Sequence, residues 1–81
     1  MDYKALSFVL AGSLRQRVIK ALQKPKTPSQ LVKDLKTQDS SLSRTLKELE
    51  EHKIIECLFP HNKKGRIYRL TKIGEEILKE Q

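Results

Sequence analysis

The sequence predicts a mainly helical α+β fold, in which a three-helix core carries a two-stranded β-hairpin and a C-terminal helix. Two observations support this fold. Apolar residues recur at helical spacing over residues 14–23, 27–36 and 38–52. From residue 54 the spacing changes to the alternation of strands, and helical spacing returns after residue 70. A chain of 81 residues has room for one domain, residues 1–81, with a small core of mostly Leu, Ile and Val.

The start of the chain carries an apolar stripe that favours a short helix, made of Leu6, Val9 and Leu10. Gly12 interrupts this stripe, and we expect Ser13 to cap a helix over residues 14–23. The motif KPKTP then ends that helix, because the residue before a proline avoids helical geometry.

The next two helices are predicted to form a helix-turn-helix. Thr27 is a natural N-cap, with Pro28 at the first helical position and Gln30 completing a capping box. The polar connection TQDS separates this helix from the next one, and we expect Asp39 or Ser40 to cap it. Two helices joined by about four residues match the spacing of a helix-turn-helix.

The helix over residues 38–52 has two different ends. Its buried face is predicted to consist of Leu42, Leu46 and Leu49. Its outer face begins with serines and basic residues and ends with Glu48, Glu50 and Glu51. A helix N-terminus attracts anions, so the polarity fits a helix whose N-terminal half alone enters the major groove of DNA. The alternative is a solvated face on which basic and acidic residues four apart stabilise the helix.

The segments IIECLF and RIYRL alternate like two strands of a hairpin. In the first strand Ile55, Cys57 and Phe59 are expected on one face, and in the second Tyr68 and Leu70. The loop PHNKKG joins them, and no acidic residue occurs between Glu56 and Glu75. The basic residues of this region are Lys63, Lys64, Arg66, Arg69 and Lys72. Such a hairpin can follow a phosphate backbone, or its lysines can serve only to block edge pairing.

Thr71 is expected to cap the last helix, which Gly74 should weaken slightly.

The net charge of +7 indicates an anionic partner such as nucleic acid, although a basic surface can also serve solubility alone. The single cysteine, Cys57, cannot form an intrachain disulfide and favours a reducing, cytoplasmic location. No apolar run approaches the roughly 20 residues that cross a bilayer.

Catalytic and metal-binding motifs are missing from the sequence, so we expect neither an enzyme nor a cofactor. There is no G-x-S-x-G, H-E-x-x-H, P-loop or G-x-G-x-x-G. Cys57, His61 and His52 are too few for a structural zinc site, which needs four ligands. We expect Cys57 to be a buried core thiol and His52 to contact carbonyls at a helix end.

The pattern Q-x-S-x-L-S-R-x-L-K-x-L-E, followed by a strand, a basic turn and a strand, resembles small winged helix-turn-helix transcriptional regulators of the broad MarR and ArsR kind. RIYRLTKIGEEIL is similar to their second wing strand and final helix, and the resemblance covers roughly residues 14–78. It implies sequence-specific binding of double-stranded DNA in transcription regulation, in the cytoplasm and associated with the nucleoid. ArsR-type metal sensors carry cysteine clusters, which this chain lacks, so no metal site is implied.

The resemblance also implies which residues meet DNA. The recognition-helix positions are Gln38, Ser40, Ser41, Ser43, Arg44 and Lys47, and the wing positions are Lys63, Lys64 and Arg66. A homodimer is expected, because one small domain reads few bases. The residues proposed for its surface, which could instead be core residues, are Leu6, Phe8, Val9, Leu10, Ile77 and Leu78. The alternative function is a winged-helix module that binds another protein in a transcription or chromatin assembly.

Overall fold

The computed structural model describes residues 2–59 and 66–81 and contains, over those residues, five helices and a two-stranded antiparallel sheet. In chain order the elements are α1 (Tyr3–Leu10), α2 (Ser13–Ala21), α3 (Pro28–Leu35), α4 (Asp39–Glu51), β1 (Ile55–Leu58), β2 (Ile67–Leu70) and α5 (Lys72–Glu80). The predicted fold class is confirmed: α2, α3 and α4 form the three-helix core, β1 and β2 form the wing, and α5 follows it.

Two of the predicted helix caps are present. The capping box of α3 is complete, since the Gln30 N–H donates to Thr27 Oγ1 at 3.2 Å and the Thr27 N–H donates to Gln30 Oε1 at 2.9 Å. Thr71 caps α5 by accepting a bond from the Gly74 N–H at 3.2 Å. Because both caps satisfy backbone donors that have no partner within the helix, they fix where α3 and α5 begin.

Two other predicted caps are wrong by one or two positions. The N-cap of α2 is Gly12, with Ser13 already helical, and the N-cap of α4 is Gln38 in place of Asp39 or Ser40. Neither N-cap residue makes a side-chain capping bond. Both helices start earlier than predicted, because the carbonyl of each N-cap residue already accepts the first helical hydrogen bond. In α4 the Leu42 N–H donates to Gln38 O at 3.0 Å.

A single apolar cluster connects all five helices and both strands. The predicted inner face of α4 is confirmed, since Leu42, Leu46 and Leu49 are buried. Two of the residues proposed for a dimer surface belong to this core: Val9 and Ile77 have no exposed area, so they are not available to a partner. Leu10, in contrast, is 51% exposed. The remaining three pack half-buried against the core: Leu6, Phe8 and Leu78.

The wing strands pair in the register Ile55↔Leu70 to Leu58↔Ile67. The prediction that Phe59 continues β1 is wrong, because Phe59 has φ 57° and a 65% exposed side chain. The predicted alternation of β2 is confirmed, with Tyr68 and Leu70 buried. Cys57 is half-buried rather than a fully enclosed core thiol. The predicted loop of residues 60–65 lies outside the described residues.

The wing and α5 are tied to the end of α4 at the carbonyl of Ile54. The Thr71 N–H donates to this carbonyl at 3.0 Å, and Thr71 Oγ1 lies 2.7 Å from Lys53 O and 3.0 Å from Ile54 O. Gly74 packs against the same carbonyl, and a Cβ there would lie 2.2 Å from Ile54 O. The sequence predicted only that Gly74 lowers the helix propensity of α5. The structure adds that a residue without a side chain is required here, because only glycine allows the helix to approach Ile54 O this closely.

Candidate nucleic-acid interface

The outer face of α4 presents a row of hydrogen-bonding and basic side chains to solvent. All six predicted recognition-helix residues are exposed: Gln38, Ser40, Ser41, Ser43, Arg44 and Lys47. The inner face of the same helix is buried in the core, so the outer face is held on a rigid support. Asp39, at the first helical position, adds a carboxylate to this end of the helix. Hydroxyl, amide and basic groups contact base edges and phosphates, and a carboxylate can accept a bond from the amino group of cytosine.

The C-terminal end of α4 is fixed by contacts with α1 and α2. Arg15 donates to the Phe8 carbonyl at 2.8 Å and lies 3.5 Å from the Glu48 carboxylate. The Phe8 ring stacks on His52 with ring centres 3.8 Å apart, and the Arg15 guanidinium lies 3.8 Å from the centre of the same ring. His52 Nδ1 lies 2.9 Å from Glu48 O, as predicted for a residue at a helix end. Glu48 thus forms an ion pair with Arg15 of α2, in addition to any interaction with residues four positions away on α4.

The helix-turn-helix corner is held by α2. The guanidinium of Arg17 donates to the carbonyl of Leu35 at the end of α3. Lys36 follows in a left-handed conformation, with φ 51° and ψ 46°, and ends the helix. The turn therefore needs no glycine, since a lysine adopts the left-handed conformation there.

The wing contributes charge close to α4. Arg66 lies exposed just before β2, whereas Lys63 and Lys64 lie outside the described residues. Arg69, on the exposed face of β2, pairs with Glu56 across the sheet. Arg66, unlike Arg69, lines a cleft beside α4.

A cleft of ≈ 270 Å³ separates α4 from the base of the wing, and we call it the α4–wing cleft. Its lining residues are Pro28, Ser43, Leu46, Lys47, Glu50, Arg66 and Tyr68. It brings together three predicted DNA-binding residues from two distant parts of the sequence: Ser43, Lys47 and Arg66. Tyr68 and Glu50 were not predicted. Strand alternation predicts that Tyr68 points inward. The one signal in the sequence that could have linked it to Arg66 is that the two residues are two positions apart and therefore lie on the same side of an extended chain.

Burial raises the pKa of Tyr68, and electrostatic interactions with Cys57 and Glu50 act in the same direction. Arg66 opposes these effects through its charge and a side-chain hydrogen bond. Tyr68 is consequently a neutral phenol near pH 7 and can donate its hydroxyl proton.

Within residues 2–59 and 66–81, no group of three or more His, Cys, Asp or Glu side chains could hold a metal ion. None of the helices described there is long and apolar enough to cross a membrane.

The fold and the exposed face of α4 define a winged helix-turn-helix of the class found in transcription regulators. Among solved structures, the reduced form of MarR from E. coli is similar to 95% of this chain, with 26% identity and a TM-score of 0.80. MarR bound to operator DNA is similar at 25% identity and a TM-score of 0.77, again over 95% of this chain. The adhesin competence repressor AdcR from Streptococcus pyogenes matches 85% of the chain at 17% identity and a TM-score of 0.77.

The likeness confirms the predicted resemblance to MarR-like winged-helix regulators, which are not enzymes. The chain spans 52–60% of the length of these structures. No protein-family model and no curated protein sequence matches the chain.

Proposed function

We propose that this protein regulates transcription by binding specific sequences of double-stranded DNA. The observation that carries the proposal is the exposed outer face of α4, whose recognition residues stand free while its inner face is buried in the core. The similarity to MarR, which has been solved with operator DNA, supports the same function.

On this proposal the N-terminal half of α4 enters the major groove. Arg44 would read guanine through two hydrogen bonds, and Gln38 would bind adenine in the same way. The carboxylate of Asp39 would accept a hydrogen bond from the amino group of cytosine. It would therefore select for cytosine at one position, although its charge repels the phosphates. The three serines, which have short side chains, would allow the phosphate backbone or a base edge to approach closely.

The wing would supply phosphate contacts. Lys63, Lys64 and Arg66 would lie along the DNA backbone beside the groove that α4 occupies. These contacts carry no sequence information, but they fix the orientation of α4 and make the affinity depend strongly on salt.

The roles of Arg44 and Lys47 can be separated by substitution with glutamine. Replacing Lys47, a phosphate contact, should weaken binding to all duplexes alike and lower the salt dependence by about one phosphate. Replacing Arg44 should cost about 1–3 kcal/mol and relax the preference at one base position of a selected sequence. Lys79→Gln removes the same charge from the far end of α5 and is the matched control. Equal binding by all three variants would contradict the proposal.

The second candidate function is a module that binds another protein, and the apolar exposure of α1 favours it. Tyr3 is 72% exposed and Leu10 is 51% exposed. The double substitution Lys63→Glu with Lys64→Glu distinguishes the two functions. It should abolish DNA binding, whereas a partner that docks on α1 would still bind.

The protein would act in the cytoplasm, associated with the nucleoid, and as a homodimer whose two copies read two half-sites. Since Val9 and Ile77 are buried, the described surface available for pairing on α1 is centred on Leu10.

A further inference from the structure

Building on the proposed DNA-binding function, we propose that the α4–wing cleft binds one phosphate of the DNA backbone and that the Tyr68 hydroxyl donates a hydrogen bond to it. The cleft collects donors from two elements. Ser43 and Lys47 lie one turn apart on α4, and Arg66 and Tyr68 lie two residues apart at the wing. The side chains that line the cleft therefore carry a hydroxyl, an ammonium, a guanidinium and a phenol, a donor set suited to a phosphate.

Tyr68 is held in place more firmly than the other three residues. It is 7% exposed, whereas Ser43, Lys47 and Arg66 are exposed. Its backbone N–H donates to Lys26 O at 2.8 Å and its carbonyl accepts from the Lys26 N–H at 3.0 Å. Its other side pairs with Cys57 of β1. A donor fixed in this way loses little conformational entropy when it binds an anion.

The Tyr68 hydroxyl retains a proton for an acceptor. Arg66 lines the same cleft, and because a guanidinium has no acceptor, it cannot take the phenol proton. The negative charge of Glu50 raises the pKa of Tyr68. The raised pKa keeps the phenol protonated, as a donor to phosphate must be.

Glu50 limits where the phosphate can sit. Along α4 the cleft is lined first by Ser43, then by Lys47 and, three residues further, by Glu50. The carboxylate repels a phosphate from its own end and favours the end near Ser43, which belongs to the half of α4 proposed to enter the DNA. On this proposal one phosphate would lie at the Ser43 end of the cleft and would limit how deeply α4 enters the groove.

The experiment measures the affinity of each variant for a fluorescein-labelled random-sequence duplex at low salt. Tyr68→Phe removes only the hydroxyl and should lower the affinity about tenfold, as expected for a hydrogen bond to a charged group. The matched control is Tyr3→Phe, at an exposed tyrosine of α1, which should bind like the wild type.

A double variant tests whether two residues hold the same phosphate. If they do, Tyr68→Phe combined with Arg66→Gln should lose less affinity than the product of the two single losses. The control for Arg66→Gln is Arg69→Gln, which changes an exposed arginine of β2. The loss of affinity in the double variant of Arg69→Gln and Tyr68→Phe should equal the product of the two single losses.

The outcomes separate this inference from the function on which it rests. If the wild type binds duplex DNA and Tyr68→Phe binds equally well, the cleft holds no phosphate through Tyr68, while the proposed function stands. If the wild type itself does not bind, both are wrong. If Tyr68→Phe folds poorly, the Tyr3→Phe variant offers a second test. The chain has no tryptophan, so the intrinsic fluorescence of this variant comes from Tyr68, its one remaining tyrosine. Its fluorescence should change in step with DNA binding, and an unchanged signal at saturating DNA would overturn the inference.

Discussion

Replacing Gly74 by alanine should destabilise the protein, although alanine is the better helix former. The new Cβ would lie 2.2 Å from the carbonyl oxygen of Ile54 and 3.1 Å from a methyl carbon of Leu70. Carbon and oxygen atoms cannot approach to 2.2 Å, so α5 must move away from the turn between α4 and β1. That movement lengthens the bonds that Thr71 makes to Ile54 O, both of which are 3.0 Å long.

The size of the effect follows from three contributions. Overpacking of a well-packed site costs about 2 kcal/mol, within a typical range of roughly 1–3 kcal/mol. Weakening one hydrogen bond costs about 1 kcal/mol. Alanine returns about 1 kcal/mol through its higher helix propensity. The free energy of unfolding should therefore fall by about 2 kcal/mol, which lowers Tm by about 8–16 °C in a domain of this size.

Thermal and urea unfolding, followed by circular dichroism, measure this change. The matched control is Gly12→Ala, where the new Cβ would meet only the flexible side chain of Arg15, at 2.9 Å. The Arg15 side chain can shift more easily than a backbone carbonyl, although the shift disturbs its bond to Phe8 O, so the control should lower the free energy of unfolding by less than Gly74→Ala does. If Gly74→Ala raised the stability, as a gain in helix propensity alone would, the close contact between α5 and Ile54 would be wrong.

Three further predictions concern single side chains. Thr27→Ala removes the cap of α3 and should lower the free energy of unfolding by about 1 kcal/mol, measured by urea denaturation. Glu50→Gln removes the repulsive charge of the α4–wing cleft and should tighten binding to random-sequence duplex by about two- to fivefold, as a unit charge roughly 8 Å away in a mostly aqueous medium would. The adjacent Glu51→Gln should change it less, and equal effects would show that only net charge matters. Because the pKa of Tyr68 is higher in the folded state than the usual value of a tyrosine, about 10, its contribution to stability should be complete below about pH 9 and should be lost as the pH rises through the folded pKa. Unfolding curves of wild type and Tyr68→Phe at pH 8 to 11 measure this, and an identical fall in both proteins would contradict it.

Local signals in the sequence were enough to predict most of the fold. The Thr27–Gln30 capping box, the leucine spacing of α4 and the alternation of β2 each depend on neighbouring residues, and each is confirmed. Some errors are local: the N-caps of α2 and α4 lie one or two positions earlier than predicted, and Phe59 leaves the strand through its own backbone, with φ 57°. Val9, in contrast, is a core residue because other elements cover it.

The same distinction applies to the candidate interface. The exposure of the α4 residues could be predicted from helical periodicity, since one face of the helix is apolar. The α4–wing cleft could not, because Pro28, Ser43 and Tyr68 are brought together only by packing of α3, α4 and β2. The need for Gly74 is likewise hidden in the sequence, since it arises from a carbonyl twenty residues earlier, at Ile54.

DNA binding is tested most directly by titrating the wild-type protein against a labelled random-sequence duplex at several salt concentrations. The logarithm of the binding constant should fall linearly with the logarithm of the salt concentration, with a slope of about −0.9 for each phosphate neutralised. Contacts from Lys47, Arg66 and the two wing lysines predict a slope of about −3 to −4. No binding at 50 mM salt, or an affinity that does not change with salt, would contradict a DNA-binding function and leave the basic wing as a solvated surface.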